Sequence, residues 1–245
     1  MADAKSKILV IVEGQKTDYK LMEHLLDVYG ISASHEIVSY NTNIYTLYNE
    51  MFRDGDPSSV DLLQILKEHE KDPQKKELFN QRYSDVLLIF DLDPQDPQFS
   101  EEKIIDMVEF FVESSDMGKL YLNYPMVEAF YHMKSIPDSD YPSYIVSMDE
   151  LRRKEYKTRV NRENRNHDYS KFAVDRSECN TVISQNIEKS WLVIGKTAHG
   201  ELLPNASDVL RAQLQQIKDQ QQLSVLCTCA FYIPDYNPKL IDSDN

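Results

Sequence analysis

Lys7–Val12 reads KILVIV, an apolar, β-branched run without alternation; it predicts a strand covered on both faces, and Glu13-Gly14 ends it. From Thr17 the period changes. Tyr19, Leu21, Met22, Leu25, Leu26 and Tyr29 recur at three and four spacing, which predicts a helix stopped by Gly30. The same alternation continues with a strand at 35–40, helices at 44–52 and 60–69, and a strand at 85–90. A helix from Glu101 behind a Ser100 cap, a strand at 119–122 and a helix at 126–133 follow. Strands alternating with helices predict an α/β fold with a mostly parallel sheet.

Past Ile136 the rhythm changes. Pro137 and Pro142 mark a link, and helices are expected at 148–165, 179–193 and 206–222. The expected organisation is an α/β catalytic domain over 1–136 and a mostly helical region over 137–245. Length and composition agree with one good-sized core plus an appendage, at 245 residues and 41% hydrophobic content. No eighteen-residue apolar run and no basic-then-apolar leader is present, so the expectation is a cytoplasmic protein without a membrane partner. Cys179, Cys227 and Cys229 form an odd set without zinc-like spacing and read as reduced core residues, the last two flanking Thr228 on a strand.

Charge sharpens the picture. A net charge of -14 argues against non-specific coating of nucleic acid, which depends on Lys and Arg replacing phosphate counterions. The segment 151–176 is the exception, with nine Lys/Arg against four acids. Two readings of it stand. It is a solvated face docking on the protein's own acids, or a phosphate track formed by Lys157, Arg159 and Arg162 with Tyr156, His167 and Tyr169 to stack on bases.

In a parallel sheet, residues just past the carboxyl ends of strands line one crevice. Glu13 follows the first strand; Asp91 and Asp93 follow the run DVLLIF. Two apart in extended backbone, Asp91 and Asp93 would point the same way. Clustered carboxylates repel one another, and a hard divalent cation relieves that cost, so Mg2+ or Mn2+ is the expected cofactor and phosphodiester hydrolysis its natural use. Glu128 stands amid Met126, Val127, Ala129 and Phe130, where an unpartnered carboxylate would be costly. His132, one turn on, reads as a structural histidine.

ILVIVEG ending one strand and LLIFDLD ending a later one resemble the Toprim family over about residues 7–133. Within it, Glu13-Gly14-Gln15-Lys16-Thr17-Asp18 is similar to the first motif of the RloB/AbiL and OLD-like group of anti-phage defence proteins, with Asp18 where Glu is usual. Asn123-Tyr124-Pro125 followed by Glu128 is similar to that group's Asn-Pro motif, with Tyr124 inserted. The resemblance implies a metal-dependent endonuclease cutting RNA, tRNA or DNA as the effector of a defence system, beside an ABC-type ATPase. It implies Glu13 as general base or metal ligand, Asp91 and Asp93 as the principal catalytic metal ligands, Asp18 and Glu128 at a second metal, and Lys16 on a phosphate. The competing expectation is a non-catalytic Toprim-like subunit that docks on the ATPase and senses phage products. A homo-oligomer is compatible with either.

Overall fold

The computed structural model describes residues 7–53, 55–115, 117–198 and 200–241. In chain order, β1 (Lys7–Val12), α1 (Thr17–Val28), β2 (His35–Ser39), α2 (Ile44–Met51), α3 (Leu62–His69) and a single turn α4 (Pro73–Lys76) lead to β3 (Tyr83–Asp91). Then come α5 (Glu101–Phe110), β4 (Val112–Glu113) and β5 (Gly118–Asn123). The remainder carries β6 (Ile145–Ser147), α6 (Met148–Arg152), α7 (Tyr156–Glu163), α8 (Arg176–Val193), α9 (Ala206–Gln220), β7 (Gln222–Ser224) and α10 (Tyr232–Tyr236). Among the described residues no helix is long and apolar enough to cross a membrane.

Strands β1 to β5 form one five-stranded sheet in the order β2-β1-β3-β5-β4. β1 runs parallel to both neighbours, with Val12 opposite Ser39 on one side and Ile89 on the other. Its interior is what KILVIV requires: Leu9, Val10, Ile11 and Val12 are buried, as are Leu87 to Phe90 of β3. The short β4 pairs antiparallel with β5. The result is an α/β fold with a mostly parallel sheet. The chain steps outward from β1 to β2, then returns past β1 to β3, so its winding reverses at the β1/β3 pair.

The chain resolves into two compact units, and the boundary is not a single point in the sequence. One comprises 1–90 and 102–120; the other comprises 91–101 and 121–245. In the second, β6 and β7 form a two-stranded antiparallel sheet, with Val146 opposite Leu223. Asn186 of α8 accepts from the Tyr141 hydroxyl at 2.6 Å and from the Cys227 N–H at 2.8 Å. Lys189, one turn further along α8, is buried and donates to the carbonyls of Tyr141 and Tyr144 at 2.8 and 2.7 Å.

Four local expectations are corrected. The segment 126–133 is not an α-helix but a 3₁₀ turn, Val127–Tyr131, because the Val127 N–H is drawn to the Asp91 carboxylate at 2.9 Å. The basic helix at 148–165 breaks into α6 and α7, with Lys154 between them at a φ of 57°. Cys227 and Cys229 lie beyond β7 rather than on a strand, and their sulfurs are 3.3 Å apart. All three cysteines are buried and unbridged. Finally, β3 ends at Asp91 and Asp93 has a φ of 40°, so the alternation of an extended strand does not govern where Asp93 points.

Candidate functional site

Asp91 is the last residue of β3 and is buried. Its Oδ1 accepts from the Val127 N–H at 2.9 Å and from the Asn123 amide at 3.3 Å. Asn123 in turn is fixed from the other side, its carbonyl oxygen accepting from the N–H groups of Thr228 and Cys229, both at 3.2 Å. An amide with donors facing a carboxylate and its oxygen facing two N–H groups has one sensible orientation. Backbone bonds at 2.8 Å in both directions between Tyr124 and Leu226 hold the same turn. The carboxylate at the end of β3 is thus held by the 123–127 turn, which is itself braced by the 226–229 stretch.

Asp93 is half-buried. Its N–H donates to the Pro125 carbonyl at 3.1 Å, and its Oδ1 accepts from the Gln95 amide at 2.9 Å. Burial raises its pKa above the usual carboxylate value; the Gln95 bond and Lys157 pull it back, while Glu128 and Asp96 add to the rise.

Glu128 sits in the 3₁₀ turn with only 4% of its side chain exposed. Lys157 of α7 reaches it, Nζ to Oε1 at 3.0 Å, while Oε2 is buried without a hydrogen-bond partner among the described residues. Burial works against the charge on Lys157. The carboxylates of Glu128, Asp91 and Asp93 outweigh it, and the lysine pKa rises.

Glu13, just past β1, donates its N–H to the Ile89 carbonyl at 3.1 Å and accepts at its own carbonyl from Asn41 at 2.9 Å. Glu13 therefore stands at the rim where the winding of the sheet reverses, the position at which α/β sheets take ligands. Asp18 is buried in the first turn of α1. A Cβ on Gly14 would meet the Asp18 Oδ2 at 2.7 Å, so only glycine leaves that carboxylate its place. Lys16 is exposed. Beside Gln15, a cavity of about 370 Å³ is lined by Ser39, Tyr40, Asn41 and His69; Glu50 bonds both the Tyr40 hydroxyl and the His69 ring.

Asp91, buried at the end of a strand with one oxygen held by the Val127 N–H, is a carboxylate of the ligand class that suits Mg2+ or Mn2+. Among the described residues no three His, Cys, Asp or Glu side chains already stand together as a ligand set.

The basic segment is largely spoken for within its own unit. Arg152 pairs with Asp149, Arg153 with Glu155, Arg159 with Glu150, Arg162 with Glu163, Arg165 with Glu178 and Lys171 with Asp168. Arg159 also donates to the Ile145 carbonyl at 2.7 Å, and Arg176 to that of Leu240 at 2.8 Å. Of the aromatics expected to meet bases, Tyr156 is buried and Tyr169 stacks on Tyr131 with ring centroids 4.1 Å apart. His132 is a structural histidine, its nitrogens bonded to Tyr156 and Glu163, and burial lowers its pKa to about 4 against the pull of Glu163.

The sequence pattern did not reveal the contacts of Thr228 and Cys229 with Asn123. No sequence signal links a turn more than a hundred positions away to Asn123. No family model, no curated protein and no solved structure matches this chain.

Proposed function

We propose that this chain is a metal-dependent endonuclease that hydrolyses phosphodiester bonds in RNA, tRNA or DNA. The observation that carries the reading is Asp91, a buried carboxylate at the end of β3, held in one orientation by Asn123 and Val127. Glu13, at the end of the adjacent strand, and Asp93 complete the set assigned to hold Mg2+ or Mn2+. When bound, such an ion supplies Lewis acidity to a phosphoryl oxygen and lowers the pKa of a water. Asn123 holds Asp91 through its side-chain amide, and Lys16 and Lys157 are assigned to supply positive charge to a phosphate.

The finer fold reading belongs with this proposal: a Toprim-like domain with a mostly helical C-terminal region, acting as the effector of an anti-phage system in the cytoplasm beside an ABC-type ATPase. The charge of -14 supports dependence on a partner, because a field of that sign repels bulk nucleic acid.

A second reading is a binding subunit that senses phage products without cutting. Two observations favour it: no three-acid ligand set stands assembled among the described residues, and most cations of the basic segment are paired internally. Incubation of RNA and DNA with the purified chain in Mg2+ and in EDTA separates the two. Cleavage that requires metal and disappears in both Glu13→Ala and Asp91→Ala is expected; defence in cells that survives both substitutions in folded protein would reject the enzyme.

A further inference from the structure

We infer that Glu128 is a positioning residue for Lys157, and that the Lys157 ammonium takes the place of a second divalent ion facing a nucleic-acid phosphate. This rests on the metal-nuclease reading above.

The argument begins with burial. A carboxylate with 4% of its side chain exposed is costly to ionise unless a positive group meets it. The group that meets Glu128 comes from α7, and the Lys157 side chain is otherwise 60% exposed. An exposed lysine gives up rotamer freedom to hold its ammonium in one place, so the 3.0 Å contact reflects a real attraction rather than packing.

The ammonium is in turn under the influence of Asp91 and Asp93 as well as Glu128. An ammonium held by Glu128 supplies, beside those carboxylates, positive charge of the kind a second divalent ion would bring. Among the described residues no trio of such acids stands ready as a ligand set, which agrees with a Glu128 already committed to a lysine.

An ammonium has three N–H donors, and Glu128 Oε1 engages one. The others are oriented by that anchor and are available to phosphate oxygens. Among the described residues the buried Oε2 has no hydrogen-bond partner, so the Lys157 contact at Oε1 is the compensation seen for this carboxylate.

The test uses the full chain and two probes. Calorimetric titration with Mn2+ alone is expected to give one ion per chain in the native protein and in Glu128→Gln, with affinities within about threefold, and none in Asp91→Ala. Fluorescent single-stranded oligonucleotides in EDTA are expected to bind Glu128→Gln and Lys157→Met at least tenfold more weakly. Their salt slope falls by about one unit, the signature of one lost phosphate contact. Lys157→Arg retains the slope and guards against a folding defect.

Two Mn2+ ions in the native chain, with one lost in Glu128→Gln, would make Glu128 a ligand and overturn the inference. So would one ion in both proteins with an unchanged salt slope. Absence of any Mn2+ binding in the native chain would instead defeat the metal reading beneath it, whatever the oligonucleotides do.

Discussion

The side-chain amide of Asn123 bridges Asp91 to the Thr228-Cys229 backbone, donating to the carboxylate at 3.3 Å and accepting two N–H groups at 3.2 Å. Asn123→Ala leaves two buried N–H groups without their acceptor and lets Asp91 turn. A loss of about 2 to 4 kcal/mol in stability is expected, read by urea unfolding. Asn123→Asp keeps the acceptor but sets a second carboxylate against Asp91, so it should remain folded while the proposed cleavage activity falls at least about tenfold.

Gly14 gives a cleaner separation of stability from function. The atom its new Cβ would meet at 2.7 Å is the tip of the Asp18 side chain, which can swing away. Gly14→Ala should therefore cost less than about 1 kcal/mol in urea unfolding, a typical value where no backbone clash arises. Cleavage should drop if Asp18 matters to the site, and Gly14→Ala should then resemble Asp18→Ala in rate. Full activity in Gly14→Ala would show that the place of Asp18 is immaterial.

Lys189 sets a pH dependence. Burial lowers its pKa from 10.5 to about 7, with Asp138 pulling the other way. The unfolded lysine keeps its proton up to its ordinary value, so between about pH 7 and pH 10.5 the unfolded state holds more protons than the folded one. Stability contributed by this group then rises with pH across that window, by at most about 1.4 kcal/mol per pH unit. Urea unfolding at pH 7 and pH 9 should show the native chain gaining relative to Lys189→Met, in which this slope is absent. A parallel pH response in the two proteins would remove Lys189 as its source.

Arg159 and Arg162 sit one turn apart and should behave differently. Arg159 holds Glu150 at 3.0 Å and the Ile145 carbonyl at 2.7 Å, with about a quarter of its side chain exposed. Arg159→Ala should cost about 1 to 3 kcal/mol in thermal or urea unfolding. Arg162 is 69% exposed and, among the described residues, pairs with its neighbour Glu163, a contact worth little. Arg162→Ala should leave stability unchanged and, where the segment meets phosphate, lower the salt slope of oligonucleotide binding by about one.

β1 and β3 were legible because the runs ILVIV and VLLIF within them are continuously apolar and carry no helical period, whereas the two-residue β4 left no pattern to read. α1, α2, α8 and α9 fell close to their expected bounds for the related reason that their apolar positions recur at three and four spacing or follow a clear cap, as Asp175 does for α8. The break at Lys154 was hidden, since lysine is neither a turn residue nor a usual left-handed one and no glycine or proline marks the spot. β6 and β7 are three residues each, too short for any period to register. The placement of Glu13, Asp91 and Asp93 at or just past strand ends was legible, since each follows an apolar run. The Lys157 partnership of Glu128 could not, because it joins a 3₁₀ turn to a helix across 29 positions that share no pattern.

The compact units trade residues along the chain: the backbone passes from one to the other after Phe90, back after Glu101, and across again after Leu120. Neither can be lifted out as a cassette. A fragment ending at Ile136 would keep Asp91 and Asp93 yet discard Lys157, Thr228 and Cys229. Such a fragment would part Asn123 from the N–H groups that fix it and Glu128 from its lysine.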